Sequence, residues 1–343
     1  MTPTQYFNEA LSQFHSLASF HKDQLSIADR LVRLNTPSAN LRNLFLPSLA
    51  HLIIDVEDDN APELTIWYAE QAHLPKKLTA PIWDGFNAQG YNSSIDEDDV
   101  QLFFQPWQKQ VFLYSKSKNV GIYWVRSAED VPWWECTFSF RIIFHLWTEA
   151  LPSQLVHAGA MAKNGVGILI PGQSGSGKST SCLNLLRNGY NYLGDDYVWV
   201  EIGAEIKVFS LYQTAKIEPE NLDKRFADWK PFIVNKAEYL YQKAVFNVND
   251  LFPKACISVS TISAILLPKV AHQIDTVFRK ANPTQALMAM APTTLHHLPH
   301  NRQNAYQKMM RISAALPSYH WDLGFDEKQF ITSFNDFIEN EFM

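Results

Sequence analysis

The chain has 343 residues, 46% hydrophobic and 19% charged, with a formal net charge of -6 and a pI near 6.0. That length exceeds the roughly 100–200 residues of one domain, so it implies two domains, or one with a large appendage, and a sizeable core. The acidic balance leaves no footprint for duplex nucleic acid or an anionic bilayer, and no apolar run nears the roughly 18 residues of a membrane span. The opening MTPTQYFNEALSQFHSL lacks the basic-then-apolar order of a secretory leader. The expectation is a cytoplasmic protein with no nucleic-acid and no membrane partner. Cys136, Cys182 and Cys256 are far apart and without CxxC spacing, which reads as buried thiols rather than disulfides or a zinc site.

In chain order, Phe7, Ala10, Leu11, Phe14 and Leu17 recur at helical spacing. From about residue 49 the pattern turns to strands. LAHLIIDVE and ELTIWYAE flank DDNAP, and QVFLY and GIYWV flank SKSKNV, which predicts two hairpins. TFSFRIIFHLWTEA, residues 137–150, predicts a buried helix closed by Pro152. Two acidic runs, EDDN at 57–60 and DEDD at 96–99, lack the alternating ligands, glycine and final glutamate of a calcium loop and read as solvated turns. Residues 1–150 thus form a mixed α/β domain of no assignable chemistry, and residues 151–343 a second domain.

In the second domain the pattern is strand (Val166 to Ile170), glycine-rich loop, helix (Lys178 to Asn188), short strand (Tyr190 to Leu193) and strand again (Tyr197 to Ile202), with Gly189 at the helix end. ISAILLPK predicts an apolar strand, residues 302–315 a helix, and Phe330, Ile331, Phe334, Phe337 and Ile338 one face of a last helix.

The loop is Gly172, Gln173, Ser174, Gly175, Ser176, Gly177, Lys178, Ser179 and Thr180, which satisfies G-x-x-x-x-G-K-[ST] between a strand and a helix. Glycines let successive N–H groups face a polyphosphate, Lys178 neutralises its oxygens, and the Ser179 hydroxyl is placed to ligate Mg²⁺. A bound nucleoside triphosphate is expected. Asp195 and Asp196 follow Lys178 by only 17 and 18 residues. The helix carries the chain away, Gly189 reverses it, and Tyr190 to Gly194 returns it beside the loop strand, bringing both carboxylates near the γ-phosphate. One of the two then suits Mg²⁺, directly or through water, and the other accepts the proton of an attacking hydroxyl. The alternative for the pair is a turn or helix cap.

The stretch VHAGAMAKNGVGILIPGQSGSGKSTSCLNLLRNGYNYLGDD, 156–196, resembles the catalytic core of the HPr kinase/phosphorylase family and its relatives. His157 stands 21 residues before Lys178, a hairpin leads into the loop strand, the helix ends in Arg187-x-Gly189, and the aspartate pair follows. The resemblance covers about residues 155–200. It implies a P-loop kinase fold related to phosphoenolpyruvate carboxykinase, with ATP and Mg²⁺ as cofactors. It also implies a serine of a protein or peptide as acceptor, Asp196 as base, which leaves Asp195 as the metal candidate, His157 as an active-site residue, and a homo-oligomer. The family's later Glu-Arg-Gly signature has no counterpart in LYQTAKIEPENL, and the first 150 residues do not match the family's N-terminal domain. The resemblance therefore implies a related kinase with a different substrate. A transition-state cation is expected, with Arg302 and Lys216 as candidates, although each reads better as a surface residue. His296, His297 and His300 suggest a metal only if further ligands join them. A small-molecule kinase and a nucleotide-dependent regulatory ATPase or switch remain the alternative readings.

Overall fold

The computed structural model describes residues 1–55 and 61–343, so the EDDN run and the end of LAHLIIDVE lie outside the described residues. The chain forms two compact units, Met1–Leu151 with Leu298–Asn301, and Pro152–His297 with Arg302–Met343.

In the first unit the helix Pro3–His15 begins at a capping box, where the Thr2 hydroxyl accepts from the Gln5 N–H and the Gln5 side chain accepts from the Thr2 N–H. The expected stripe faces inward, with Phe7, Ala10 and Phe14 fully buried. Each buried phenylalanine contributes roughly 2 kcal/mol. Among the described residues six strands form one sheet in the order His21–Ile27, Arg30–Thr36, Leu64–Glu70, Val120–Val125, Gln110–Ser115, Val100–Gln105. The first pair is a hairpin turning at Ala28 and Asp29, both with positive φ. This turn lacks the glycine or asparagine that marks such a site in sequence.

The hairpin expected between LAHLIIDVE and ELTIWYAE does not form. Leu64–Glu70 pairs in parallel with Arg30–Thr36 and with Val120–Val125. Leu49 instead ends the helix Ala39–Leu49, which buries Leu41, Phe45 and Leu49 and starts at a Ser38 cap on the Leu41 N–H, and Leu52 closes the short turn Ala50–Leu52. The second hairpin, Gln110–Ser115 with Val120–Val125, is antiparallel as expected. The helix expected at 137–150 is broken into Trp133–Thr137 and Arg141–Thr148, because Phe140 between them adopts φ 60°. The DEDD run does more than meet solvent: Glu97 accepts from the Thr4 N–H, and Asp99 accepts from the Ser117 N–H at 2.6 Å and the Ser115 hydroxyl at 3.0 Å.

The second unit is built on a larger sheet. Its path runs Asn191–Gly194, Ala158–Lys163, Val166–Pro171, Val259–Val270, Ile206–Phe209, Val198–Ile202, Ser153–Val156. Ser318–Leu323 joins Val259–Val270 in parallel, and Val277–Ala281 joins it in turn. Side-chain alternation sorts the two faces. Ile168 and Ile170 pack with the helices Lys178–Arg187 and Glu327–Phe342, while Leu169 packs with Pro283–His297 and Arg302–Ala315. Phe330, Phe334, Phe337 and Ile338 are buried on the first face, with Ile331 partly so. A separate two-stranded sheet pairs Thr214–Ile217 with Ala244–Asn247. Of the three cysteines only Cys182 is fully buried; Cys136 and Cys256 are half-buried, and burial pushes both thiols up to about 12.

Candidate active site

Val166–Pro171 ends at the glycine-rich loop, and the helix Lys178–Arg187 starts directly after Gly177. Gly177 has φ 100°, a backbone conformation that favours glycine, and a Cβ there would also push Leu323 Cδ1 aside. The loop closes on itself with the Ser176 N–H donating to Gln173 O at 3.2 Å. Lys178 is buried and its ammonium donates to Gly172 O at 2.6 Å and Gln173 O at 3.3 Å. Burial pulls the Lys178 pKa down, against the opposing charges of Asp196 and Asp195. The Ser176 hydroxyl is buried without a hydrogen-bond partner among the described residues. An unmatched hydroxyl at a loop of this conformation has the chemistry of a phosphate cradle.

Gly189, at φ 80°, ends the helix and sends the chain back as Asn191–Gly194. That strand does not lie beside the loop strand. It pairs with Ala158–Lys163, which itself pairs with the loop strand, because the tight turn at Asn164 and Gly165 folds Ala158–Lys163 into the intervening place. The registers still carry the aspartates to the loop end: Gly194 opposes Ala160, and Ala158 opposes Pro171.

The aspartates face different surroundings. Asp195 is 2% exposed; one oxygen accepts from the Tyr192 hydroxyl at 3.0 Å and the other from the Lys216 N–H at 3.2 Å. Burial and the neighbouring Asp196 charge raise it to about 6. Asp196 is half-buried. One of its oxygens meets His157 Nε2 and the other meets the Lys216 ammonium at 2.7 Å. Burial pushes Asp196 up, but the Lys216 charge and then His157 outweigh it and hold the carboxyl well below the ordinary range. The His157 backbone N–H donates to the Thr294 hydroxyl at 3.1 Å, its ring lies 5.0 Å from that of His297 and 5.2 Å from that of Tyr197, and its Nδ1 is buried without a partner among the described residues. Nε2 is therefore the ring atom that serves Asp196.

Several expectations change. Lys216 is no surface residue: it is 8% exposed and ion-paired to Asp196. Sequence alone offered no signal for it beyond its place in the strand TAKI. Asp195, expected at a metal, has both oxygens engaged by protein donors. Arg302 opens its helix and is exposed. His300 belongs to the first unit, where its Nδ1 meets Glu149, whereas His296 and His297 belong to the second. Among the described residues no group of three or more His, Cys, Asp or Glu side chains has the geometry to hold a metal ion. None of the described helices is long and apolar enough to cross a membrane.

A strand, a G-x-x-x-x-G-K-S loop and a helix in a layered α/β sheet, with an aspartate pair two strands over, place the second unit among the P-loop α/β folds. No family model matches the chain. Over 86 residues it is 35% identical to the HPr kinase/phosphorylase of Bacillus mycoides, covering 25% of this chain and 26% of that protein. Over 90 residues it is 33% identical to the HPr kinase/phosphorylase of Clostridium kluyveri, covering 26% and 28%. The chain thus spans about a quarter of the length of the curated relatives it matches, and over that stretch it is HPr-kinase-like. The solved Hpr(Ser) kinase/phosphatase from Coxiella burnetii aligns at a TM-score of 0.32 and 12% identity, covering 55% of this chain and 99% of that one.

Proposed function

We propose that this chain is an ATP-dependent kinase that transfers the γ-phosphate to a hydroxyl, with a serine of a protein or peptide as acceptor. The observation that carries the reading is Asp196, a carboxylate at the loop end of the sheet held from two sides by His157 and Lys216. A switch that only senses nucleotide needs no such clamped acceptor.

The residues present fit Mg·ATP: positive-φ loop glycines, a buried hydroxyl on Ser176 and a lysine whose ammonium rests on loop carbonyls. Bound Mg·ATP supplies the phosphoryl group and the cation that neutralises its oxygens. The loop N–H groups from Gly172 to Thr180 and Lys178 would hold the phosphates, and Ser179 would contact the metal. Asp195 then serves the fold, through Tyr192 and Lys216, in place of the metal contact expected for it. Asp196 accepts the hydrogen bond of the acceptor O–H and orients its oxygen for in-line attack. As the oxygen–phosphorus bond to the acceptor forms and the bond to ADP breaks, the hydroxyl proton passes to Asp196. A carboxyl held below the ordinary range is a weak base. That suits a loose transition state, in which the proton leaves late and orientation matters most. His157 keeps the carboxylate aimed through Nε2.

The test is transfer of γ-labelled phosphate from ATP into source-cell extract, split into protein and small-molecule fractions, for the wild type and Asp196→Asn. A discrete labelled protein whose labelling falls by roughly 10²–10⁴-fold in the variant, with ATP binding kept, supports the reading. Label only among small molecules moves the acceptor to a metabolite. Equal release of free phosphate by both proteins makes the chain a nucleotide switch.

A further inference from the structure

We infer that Lys216 is a positioning residue for phosphoryl transfer: one lysine locks both aspartates, its backbone fixing Asp195 and its ammonium aiming Asp196 at the acceptor. The inference rests on the kinase reading above. Its strand, Thr214–Ile217, pairs with Ala244–Asn247 in a small sheet of its own, so the main sheet does not align it. Its visible polar ties to the site come from neighbouring side chains: the Tyr192 hydroxyl donates to Thr214 O at 2.8 Å and to Asp195 at 3.0 Å, and Asp195 accepts the Lys216 N–H at 3.2 Å. Tyr192 and Asp195 therefore act as a substitute strand edge. They hold Lys216 where its ammonium reaches Asp196 at 2.7 Å.

The opposite oxygen of Asp196 belongs to His157. With one oxygen fixed from each side, the carboxylate plane cannot rotate, which is what a hydrogen-bond acceptor needs in order to orient an attacking hydroxyl. Lys178 is occupied by the carbonyls of its own loop, so its role lies with the phosphates rather than with Asp196. Lys216 is thus the lysine bonded to the acceptor end of the site. An arginine reaches as far and keeps the charge, whereas methionine keeps the length without it.

The experiment measures initial rates of label transfer from ATP into the extract protein fraction for the wild type, Lys216→Met, Lys216→Arg and Lys216→Ala, with binding of ATP titrated separately. Expected for Lys216→Met is a fall of roughly 10–100-fold in rate at saturating ATP with an unchanged KM for ATP. Lys216→Arg should recover a large share of that loss. Lys216→Ala should be accelerated by added methylammonium, an effect that a merely structural lysine would not show. Transfer by Lys216→Met at the wild-type rate overturns the inference. So does a loss that appears only as weakened ATP binding, or a slow Lys216→Ala that methylammonium fails to accelerate while the variant still binds ATP. A wild type that labels no protein sinks the kinase reading itself, and the inference with it.

Discussion

Two carboxyl groups withdrawn from water, one fully buried in the first unit and one half-buried in the second, meet opposite fates. Glu135, in the short helix Trp133–Thr137 of the first unit, is 1% exposed, and neither carboxylate oxygen has a hydrogen-bond partner among the described residues. Its nearest cation, the Arg141 guanidinium, stands 4.0 Å away. Burial prevails there and raises the carboxyl to about 7. Asp196 pays the same kind of desolvation, yet it is held well below the ordinary range because Lys216 and His157 touch its two oxygens. Burial without a bonded partner raises a carboxyl toward neutrality, whereas burial beside a bonded ammonium and imidazole holds it as an anion. Only the second can orient a substrate hydroxyl at neutral pH.

The sharpest way to break the contrast is to strip Asp196 of both partners. The double variant His157→Gln, Lys216→Met should leave a carboxyl in the condition of Glu135. We expect transfer to fall by about 10³-fold, on the order of 4 kcal/mol, while ATP still binds the loop. Labelled-phosphate transfer beside ATP titration checks it. A double variant no slower than either single one would show that the two partners act as a unit rather than additively.

What the sequence disclosed of this contrast follows from how local each signal is. The strand, loop and helix from Val166 to Arg187 were legible because the phosphate loop and the Gly189 reversal are encoded in consecutive residues. The family resemblance marked His157 as an active-site residue but not its partnership with Asp196, 39 residues away. Lys216 was passed over as an ordinary surface lysine, because a lysine in TAKI carries no mark of the carboxylate it meets from another sheet. In the first unit the hydrophobic runs were seen but mispaired. Adjacency in sequence suggested a hairpin, whereas Leu64–Glu70 found parallel partners at Arg30–Thr36 and Val120–Val125. Such non-local pairing leaves no periodic trace. Glu135 stood inside the stretch PWWECTF with nothing to announce its burial.

The next largest effect concerns stability. Because the folded pKa of Glu135 lies near 7 against a reference of 4.5, the folded chain holds a proton that the unfolded chain has lost between those values. Its contribution is fully present below about pH 4.5 and is lost as pH rises through 7, on the order of 3 kcal/mol in all. Asp195, raised to about 6, adds a slope of the same sign. The difference between wild type and Glu135→Gln therefore isolates the Glu135 part. Urea unfolding at pH 5 and pH 8 should show the wild type losing more stability than the variant. Equal losses would mean that Glu135 is ionised in the folded chain at both pH values.

The smallest effect tests what distance does to a cation's influence. Arg141 already lowers the Glu135 pKa, but from 4.0 Å and without a hydrogen bond, while Lys216 reaches Asp196 at 2.7 Å. Coulomb energy alone varies only as the inverse of separation, so if charge were everything the two cations would act with similar strength. At Asp196 the Lys216 charge is the larger cause, and hydrogen bonds from His157 and Lys216 add to it, whereas Glu135 has the distant charge alone. Arg141→Met should accordingly move the Glu135 midpoint upward by less than about one pH unit, a change worth about 1 kcal/mol at pH 8 and nearly nothing at pH 5. The pH at which the difference in unfolding free energy from Glu135→Gln bends, measured with and without Arg141→Met, reports that midpoint. A shift of two units or more would show that a guanidinium making no hydrogen bond to Glu135 controls its carboxyl as firmly as a bonded ammonium controls Asp196, and the distinction drawn between the two would then rest on burial rather than on contact.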